Sequence, residues 1–188
     1  LFLDRDGVLI KDKHYISDPK DVQLEDGAIE LLKLAKRKGL VTIIITNQSG
    51  IGRGYFSWSD YDIVTKKMLS EISSNNLISA IFANSIVSSD LKNSWRKPGY
   101  GMIYESIKYF NINLRKSILI GDRISDLQSG VNASVANLVH VSTGHGISER
   151  KNILKYIKNG FFYHNKKKSS IRLVDNLHSL LASNFLDL

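Results

Sequence analysis

The sequence predicts an α/β fold in which helices cover both faces of a central, mostly parallel sheet. Short apolar runs alternate with longer amphipathic segments, as in repeated strand–helix units. Val41–Ile45 is a continuous β-rich run, which is typical of a strand covered on both faces. Gly27–Lys38 carries a single apolar stripe at helical spacing. We therefore expect a three-layer α/β/α sandwich of the Rossmann-like type, with residues 1–188 forming one domain.

The first half of the chain supplies three strands and two helices. A strand ends over Leu1–Leu3, and the helix Gly27–Lys38 stops at Gly39. After the strand Val41–Ile45, we predict a helix over Ser59–Ile72, with Ser59 as its N-cap and acidic residues in its first turn. Ser79–Val87 is the third strand.

The second half continues the alternation and then becomes less regular. We predict a helix over Gly101–Phe110, a strand over Ser117–Ile120, a helix over Ser125–Asn132 and a strand over Asn137–Val141. Beyond these lie a basic helix near Ile147–Asn159, the run Phe161–Lys168, a strand Ile171–Val174 and a helix from Asn176. Lysines beside aromatic residues in Phe161–Lys168 fit single-stranded nucleic acid, but a solvated hairpin or interaction edge is the interpretation we favour.

Composition limits the function classes. The 188 residues contain 26 Lys+Arg and 18 Asp+Glu, giving a net charge of +8, and no cysteine. The lack of cysteine excludes a disulfide framework, a thiol nucleophile, an iron–sulfur cluster and a cysteine-based zinc site. The positive excess suits an anionic partner: nucleic acid, a membrane surface or a phosphorylated metabolite.

No stretch approaches the roughly 18 apolar residues of a membrane span, and Leu1–Asp4 lacks a signal pattern. We therefore expect a cytoplasmic protein whose natural chain begins a few residues earlier.

Acidic residues follow two of the predicted strands. Asp4 and Asp6 come after the first strand, whereas Asp122 ends the fourth, with Asp126 four residues later. The carboxyl ends of parallel strands meet at one sheet edge, where two carboxylates about 4 Å apart repel by roughly 4 kcal/mol at an effective dielectric near 20. A divalent cation relieves this repulsion, and oxygen ligands favour Mg²⁺. The sequence thus predicts a magnesium site.

Two further segments suit an anionic ligand. The second strand runs into Thr46-Asn47-Gln48-Ser49-Gly50-Ile51-Gly52-Arg53-Gly54, where a hydroxyl, an amide and a glycine-rich turn predict a cradle of backbone N–H groups. Arg96-Lys97-Pro98 supplies cations before the next helix, and Lys97 is suited to neutralise charge on a transferring phosphoryl group.

Together these motifs resemble the haloacid dehalogenase superfamily of aspartate-nucleophile phosphatases. They stand as Leu3-Asp4-Arg5-Asp6-Gly7-Val8, Ile45-Thr46-Asn47, Lys97-Pro98 and Gly121-Asp122-Arg123-Ile124-Ser125-Asp126. Thr46–Ile51, Arg96-Lys97-Pro98 and Gly101-Met102 make the match closer to subfamily IIIA, the D,D-heptose 1,7-bisphosphate and histidinol-phosphate phosphatases. The resemblance spans roughly Leu1 to Gly144 and implies a haloacid-dehalogenase-like fold with no large cap domain.

The resemblance also implies a mechanism. Asp4 would attack phosphorus and form an aspartyl-phosphate, and Asp6 would act as general acid and then general base. The metal ligands would be the Asp4 side chain, the Asp6 backbone carbonyl and Asp122, with Asp126 as a possible indirect partner. Thr46, Asn47 and Lys97 would hold the phosphoryl oxygens.

By position, a further set of residues matches the family's substrate contacts. A small, polar, doubly anionic ligand fits this set, since Arg96 or Arg123 can hold a second phosphate in bidentate fashion. His14 is equally compatible with an ordinary loop histidine, and Arg53 adds a cation between the glycines. The residues are Asp12, Lys13, His14, Tyr15, Gln48, Ser49, Arg53, Arg96 and Arg123.

One departure from the family pattern concerns metal. Where relatives carry Cys-x-Cys before Arg-Lys, this chain reads Asn93-Ser94-Trp95, so we expect no zinc and a short loop ordered by Trp95 packing and local hydrogen bonds. Tyr100 also replaces a proline of the family pattern.

The expected partner is a small phosphorylated sugar, most simply heptose bisphosphate, and not nucleic acid or a membrane. The protein is expected to be a monomer or weak oligomer. Histidinol phosphate and a polynucleotide 3′-phosphate are the alternative substrates. A non-catalytic binding relative is the alternative class, against which the complete set of motif residues argues.

Overall fold

The computed structural model describes residues 1–72, 76–183 and 185. Within these ranges eight strands form one sheet, in the spatial order β3-β2-β1-β4-β5-β8-β7-β6. The pairs from β3 across to β8 are parallel, whereas β7 and β6 join antiparallel at one side. The strands are β1 Phe2–Leu3, β2 Ile43–Asn47, β3 Ala80–Asn84, β4 Ile118–Gly121, β5 Asn137–Val141, β6 Ile157–Lys158, β7 Phe161–His164 and β8 Lys167–Val174.

Helices connect most of these strands and follow the predicted alternation. Short 3₁₀ turns occur at Pro19–Asp21, Leu114–Lys116 and Leu154–Tyr156. The helices are α1 Ala28–Arg37, α2 Ser49–Gly52, α3 Trp58–Ile72, α4 Gly101–Tyr109, α5 Ile124–Ala133, α6 Gly146–Ile153 and α7 Leu177–Leu181.

Side chains of the inner strands alternate between two apolar cores, one on each face of the sheet. Leu3 and Ile44 contribute to the core that contains α1 and α3 residues such as Leu31 and Met68. Phe2, Ile43, Ile45 and Leu119 contribute to the other core, with residues of α4 and α5. Helices therefore cover both faces, and the prediction of a three-layer sandwich with a mostly parallel sheet is confirmed.

The N-cap of α3 is not the predicted Ser59. The Ser57 hydroxyl accepts a hydrogen bond from the Asp60 backbone N–H at 3.2 Å, and the Asp60 carboxylate accepts one from the Ser57 N–H at 2.8 Å. This reciprocal pair is a capping box, and it starts the helix at Trp58.

The predicted basic helix Ile147–Asn159 is too long at its C-terminal end. Helix α6 ends at Ile153, after which a 3₁₀ turn leads into β6. Asn159 and Gly160 take positive φ values of 50° and 76°, which turns the chain so that β6 pairs with β7. The turn chemistry and the strand pairing override the helical pattern here.

The run Phe161–Lys168 forms the predicted hairpin, joining β7 to a β8 that begins at Lys167, four residues earlier than expected. At the other end of the sheet, β3 stops at Asn84 and not at Val87, because the Asn84 amide turns to bond Asn47 and the Trp95 carbonyl.

The carboxyl ends of β1, β2, β4 and β5 lie along one edge of the sheet and place their following residues together. Between β1 and α1, residues 5–27 contain isolated bridges and one 3₁₀ turn, in keeping with the expected lack of a large cap domain. Within the described residues, no helix has both the length and the apolar character to cross a membrane.

Candidate active site

A cavity of about 430 Å³ opens at the edge of the sheet where these strands end. It is of the size that small-molecule sites usually have. The structure brings together in its walls most of the residues singled out from the sequence: Asp4, Asp6, Asp12, His14, Tyr15, Asn47, Gln48, Ser49, Arg96, Lys97, Arg123 and Asp126. Four others do not line it: Lys13, Thr46, Arg53 and Asp122.

Lys97 lies between two carboxylates beneath the cavity. Its Nζ is 3.0 Å from Asp4 Oδ1 and 2.7 Å from an Asp126 oxygen, and it donates to the Ile45 carbonyl at 2.9 Å. Burial disfavours the charged amine, but Asp126 and Asp4 outweigh it, so the pKa of Lys97 is raised. The side chain is therefore a fixed cation at the point where an anion would meet Asp4.

Asp4 follows β1 and is almost fully buried, at 8% exposure. Its Oδ1 accepts a hydrogen bond from the Arg5 backbone N–H at 2.7 Å as well as the contact from Lys97. Burial, opposed by Lys97 and assisted by Asp126 and Asp6, raises the pKa of Asp4 from 3.8 to about 7. Since the described contacts of Asp4 use Oδ1, Oδ2 is the oxygen left for a ligand.

Asp122 follows β4 and lies behind the cavity wall at 1% exposure. Its Oδ2 accepts a hydrogen bond from the His145 backbone N–H at 2.7 Å, while its Oδ1 is buried without a hydrogen-bond partner in the described part of the chain. Burial and the neighbouring carboxylates of Asp126 and Asp4 raise the pKa of Asp122 to about 8.

The backbone around Asp122 is held by a buried histidine. The ring of His140 bonds the Asp122 carbonyl through Nε2 at 2.9 Å and accepts a hydrogen bond from Arg150 Nε at Nδ1, also 2.9 Å. Nε2 therefore carries the proton. Burial lowers the pKa of His140 to about 4, so the ring is neutral at physiological pH.

The carboxylates of Asp4, Asp122 and Asp126 fit a divalent cation. One oxygen from each lies within 4.8 Å of the others, and all three residues are buried. An unpartnered buried oxygen and raised carboxyl pKa values show that the protein alone does not satisfy these charges. Oxygen donors of this kind suit Mg²⁺.

Asp6 is not a member of that cluster, and its carboxylate is held by a residue that sequence reasoning missed. Arg5, at 1% exposure, approaches both Asp6 oxygens, the shortest contact being Nη2 to Oδ1 at 2.9 Å. Gln48 Nε2 donates to Asp6 Oδ2 at 2.9 Å and also to Thr46 Oγ1 at 2.8 Å. The Asp6 carboxylate therefore has a fixed orientation toward the cavity.

Only the start of the glycine-rich segment after β2 lies at the cavity. Asn47, Gln48 and Ser49 line the cavity, whereas Gly50 and Gly52 do not. A Cβ at Gly50 would lie 2.3 Å from the Phe56 ring, and one at Gly52 would lie 2.1 Å from the Ser85 carbonyl oxygen. These two glycines allow close packing.

Asn47 acts on the backbone of the Arg-Lys-Pro segment. Its Oδ1 accepts from the Lys97 N–H at 3.1 Å and its Nδ2 donates to the Lys97 carbonyl at 3.2 Å. Both polar atoms of the amide thereby anchor Lys97, and the same Oδ1 also accepts from Asn84.

Arginines give part of the cavity wall a positive charge. Arg96 donates to the Ile86 carbonyl at 2.8 Å. Burial and the nearby charges of Arg53 and Arg123 lower the pKa of Arg96. Arg53 thus contributes charge from outside the cavity lining. Lys13 instead faces Asp21 at 3.6 Å.

The loop before Arg96 is ordered as predicted, without metal ligands of the cysteine type. Trp95 packs edge-on against Phe82, with ring centroids 5.9 Å apart, and its carbonyl accepts from Asn84. The Ser94 N–H bonds the Leu91 carbonyl and the Tyr100 N–H bonds the Lys92 carbonyl.

Several cavity residues were missed from the sequence. A strand-end signal was available for His145, which follows β5 in Gly144-His145-Gly146, but not for Glu149, which reaches the site from α6. Arg5 lies between the two motif acids Asp4 and Asp6, and no role was predicted for it. The missed lining residues are Arg5, Ile16, Pro98, Ile124, Ser125, His145 and Glu149.

Comparisons with known proteins identify the family of this chain. The sequence model of the polynucleotide kinase 3 phosphatase family matches residues 1–156. A D-glycero-beta-D-manno-heptose-1,7-bisphosphate 7-phosphatase of Helicobacter pylori is 38% identical over 140 residues, covering 73% of this chain and 80% of the relative. A D-glycero-alpha-D-manno-heptose-1,7-bisphosphate 7-phosphatase of Campylobacter jejuni is 36% identical over 143 residues, covering 76% of this chain and 81% of the relative.

Solved structures show the same fold. A D,D-heptose 1,7-bisphosphate phosphatase from B. bronchiseptica, complexed with magnesium and phosphate, superimposes with a TM-score of 0.80 at 20% identity, covering 100% of this chain and 98% of that one. A putative HAD-like phosphatase from Mesorhizobium loti gives 0.74 at 28% identity, covering 97% and 83%. The family match over residues 1–156 and the close relatives lead to one conclusion: this chain is a phosphatase of the haloacid dehalogenase superfamily.

Proposed function

We propose that this protein is a Mg²⁺-dependent phosphatase that converts D-glycero-D-manno-heptose 1,7-bisphosphate to the heptose 1-phosphate. The observation that carries the proposal is the buried set of Asp4, Lys97 and Asp122 at the cavity, with Asp4 Oδ2 free and Asp122 Oδ1 unpartnered. It combines a nucleophile, a fixed cation and a metal ligand, which are the parts that phosphoryl transfer needs.

In the first step, Asp4 Oδ2 attacks phosphorus and the bond from phosphorus to the sugar oxygen breaks. Asp6, which enters this step in its protonated form, donates that proton to the departing alkoxide, which leaves as the alcohol. Arg5 and Gln48 fix the Asp6 carboxylate for this transfer. Lys97, 3.0 Å from Asp4, offsets the negative charge of the phosphoryl oxygens.

In the second step, water attacks the aspartyl-phosphate and gives a proton to Asp6. The bond between phosphorus and Asp4 then breaks, which releases inorganic phosphate and restores both carboxyl groups. One residue thus serves as acid and then as base.

The side chains of Asp4 and Asp122 and the Asp6 backbone carbonyl would hold Mg²⁺, with Asp126 beside them. When bound, the cation neutralises phosphoryl charge and favours the ionised form of the carboxylates. Thr46, buried behind Gln48, acts by positioning this amide.

The substrate follows from the relatives' names and from the positive wall. The H. pylori and C. jejuni relatives are named for opposite anomers of the same heptose bisphosphate. A bisphosphate fits because Arg96 and Arg123 line the same cavity as Asp4 and can bind the phosphate that is not hydrolysed. Asp12, His14 and Tyr15 lie in the same walls, where they can contact sugar hydroxyls.

Phosphate release from four substrates tests the proposal: both anomers of the heptose bisphosphate, histidinol phosphate and a 3′-phosphorylated oligonucleotide, each with Mg²⁺. We expect the highest kcat/KM with one heptose anomer. Asp4→Asn should lower turnover by at least about 10³-fold while the circular-dichroism spectrum is kept. Preference for histidinol phosphate would overturn the substrate, and an active Asp4→Asn would overturn the nucleophile.

A polynucleotide 3′-phosphatase is the second candidate, favoured by the family match and the net charge of +8. Activity on the oligonucleotide that falls about 10³-fold or more between 50 and 200 mM salt would indicate contacts to several phosphates and support it. A weak salt dependence supports the small sugar phosphate.

We also propose that the enzyme is cytoplasmic and acts as a monomer or weak oligomer. A doubly phosphorylated sugar is too highly charged to cross a membrane unaided, so we expect it to be hydrolysed in the compartment where it is made. Light scattering of the purified protein measures the oligomeric state.

A further inference from the structure

A second cavity of about 230 Å³ opens beside the mouth of the first. Asp12 and His14 come from the segment after β1, and His145 comes from the turn after β5. These three residues line both cavities. His145 lies more than 130 positions after Asp12 and His14 in the sequence, so the fold brings the two segments together.

The three side chains converge in a way that suits a metal ion. One ligand atom from each, two imidazole nitrogens and one carboxylate oxygen, lies within 4.8 Å of the others. His145 Nε2 is 2.9 Å from Asp12 Oδ2. The rings of His14 and His145 meet edge to face with centroids 5.4 Å apart.

The segment after β1 and the turn after β5 are also anchored by hydrogen bonds that do not use Asp12 Oδ2 or the ring of His145. The His14 backbone N–H donates to Asp12 Oδ1 at 2.8 Å, so Oδ2 is the oxygen that faces His145. The His145 backbone N–H donates to Asp122 Oδ2 at 2.7 Å, which leaves its ring unconstrained by that bond. A cation entering here would replace only the contact between His145 and Asp12.

We propose that Asp12, His14 and His145 form a site for a divalent transition metal, such as Zn²⁺ or Co²⁺, distinct from the magnesium site. Imidazole nitrogens with one carboxylate favour these ions, whereas Mg²⁺ prefers oxygen ligands alone. Three protein ligands leave coordination positions open to water or to an anionic oxygen of a molecule in the larger cavity. The site does not depend on which phosphate ester the enzyme hydrolyses.

The test is a Co²⁺ titration of the purified protein in excess Mg²⁺, followed by visible absorption. We expect one equivalent of Co²⁺ to give ligand-field bands that Zn²⁺ removes. His14→Gln and His145→Gln should each weaken Co²⁺ binding by at least about tenfold. His178→Gln, an exposed histidine on α7, is the matched control and should bind as the wild type does.

Two further variants keep the outcome decisive. Asp12→Asn should also weaken binding, and it provides the test if a histidine variant fails to fold. Asp122→Asn, which alters the acidic cluster, should keep the Co²⁺ bands. No Co²⁺ binding in excess Mg²⁺, binding that is unchanged in the histidine variants, or bands lost in Asp122→Asn but kept in both histidine variants would overturn the site.

Discussion

At the scale of single residues, the site sets three buried carboxylates against one buried amine. Lys97 contacts Asp4 and Asp126 directly, whereas Asp122 has no cationic side chain in hydrogen-bond contact among the described residues. Breaking a buried ion pair is costly because the remaining charge stays uncompensated. Lys97 therefore stabilises the cluster in the metal-free protein, in addition to its proposed role in binding the phosphoryl group.

Arg5 shows that a residue between two motif acids has a role of its own. It is buried, it approaches both oxygens of Asp6, and its guanidinium lies 5.2 Å from the centre of the Tyr61 ring. A lysine cannot reproduce the planar fork of donors that these contacts use. Arg5 therefore positions the carboxylate of the proposed acid and base.

We predict that Arg5→Lys lowers kcat by about 10-fold or more, because Asp6 loses its fixed orientation. KM should change little, since Arg96 and Arg123, which are proposed to bind the second phosphate, are unchanged. Steady-state kinetics across pH measures both, and a change in the acidic limb of the kcat profile would identify Asp6 as the affected group. Arg115→Lys, on an exposed 3₁₀ turn, is the control. A normal kcat in Arg5→Lys would contradict the positioning role.

At the scale of elements, α6 connects the end of β5 to the segment after β4 that contains Asp122. Arg150 of α6 donates to the His140 ring, to Ser142 Oγ at 2.7 Å and to the Val174 carbonyl at 2.6 Å. The same His140 ring bonds the Asp122 carbonyl. The position of Asp122 is therefore linked through His140 to a helix outside the cavity.

We predict that Arg150→Ala raises the Mg²⁺ concentration needed for half-maximal activity several-fold, with a loss of about 1–3 kcal/mol in the free energy of unfolding. kcat at saturating Mg²⁺ should be nearly kept, because Arg150 does not contact the ester. Mg²⁺ titrations of activity and urea unfolding measure the two effects. Lys151→Ala, exposed on the same helix, should change neither. Equal Mg²⁺ dependence in the Arg150 and Lys151 variants would contradict the linkage.

Elements were predicted well where one local signal dominated. Continuous apolar runs identified β2, β4 and β5, and the acids after β1 and β4 identified the edge of the sheet where the cavity opens. The helix after β5 was overextended because a basic pattern cannot show that Asn159 and Gly160 turn back to pair two strands. Arg5 and Glu149 could not be assigned, since their contacts depend on tertiary packing from distant elements.

At the scale of the whole molecule, folding brings carboxylates of the β1 and β4 ends together, and this makes stability depend on pH. The pKa values of Asp4 and Asp122 rise from 3.8 to about 7 and about 8 in the metal-free protein. At these two carboxyl groups the native state therefore binds more protons than the unfolded chain, whereas at His140, whose pKa is lowered to about 4, it binds fewer. The contribution of Asp4 and Asp122 to stability is largest below the unfolded pKa and falls as pH rises through the window.

We predict that, relative to Asp122→Asn, the metal-free protein loses unfolding free energy as pH rises from about 4 to about 8, by up to about 1.4 kcal/mol per pH unit for the extra proton that Asp122 binds in the native state. Mg²⁺ binds the ionised carboxylates, so it should stabilise the protein more near pH 8 than near pH 5. Urea unfolding with EDTA and with Mg²⁺, at a series of pH values, measures this. Asp122→Asn should also show a smaller Mg²⁺ effect, because it lacks one carboxyl group whose pKa is raised by folding. Equal pH dependence of metal-free stability in the wild type and in Asp122→Asn would show that this carboxyl does not contribute to it.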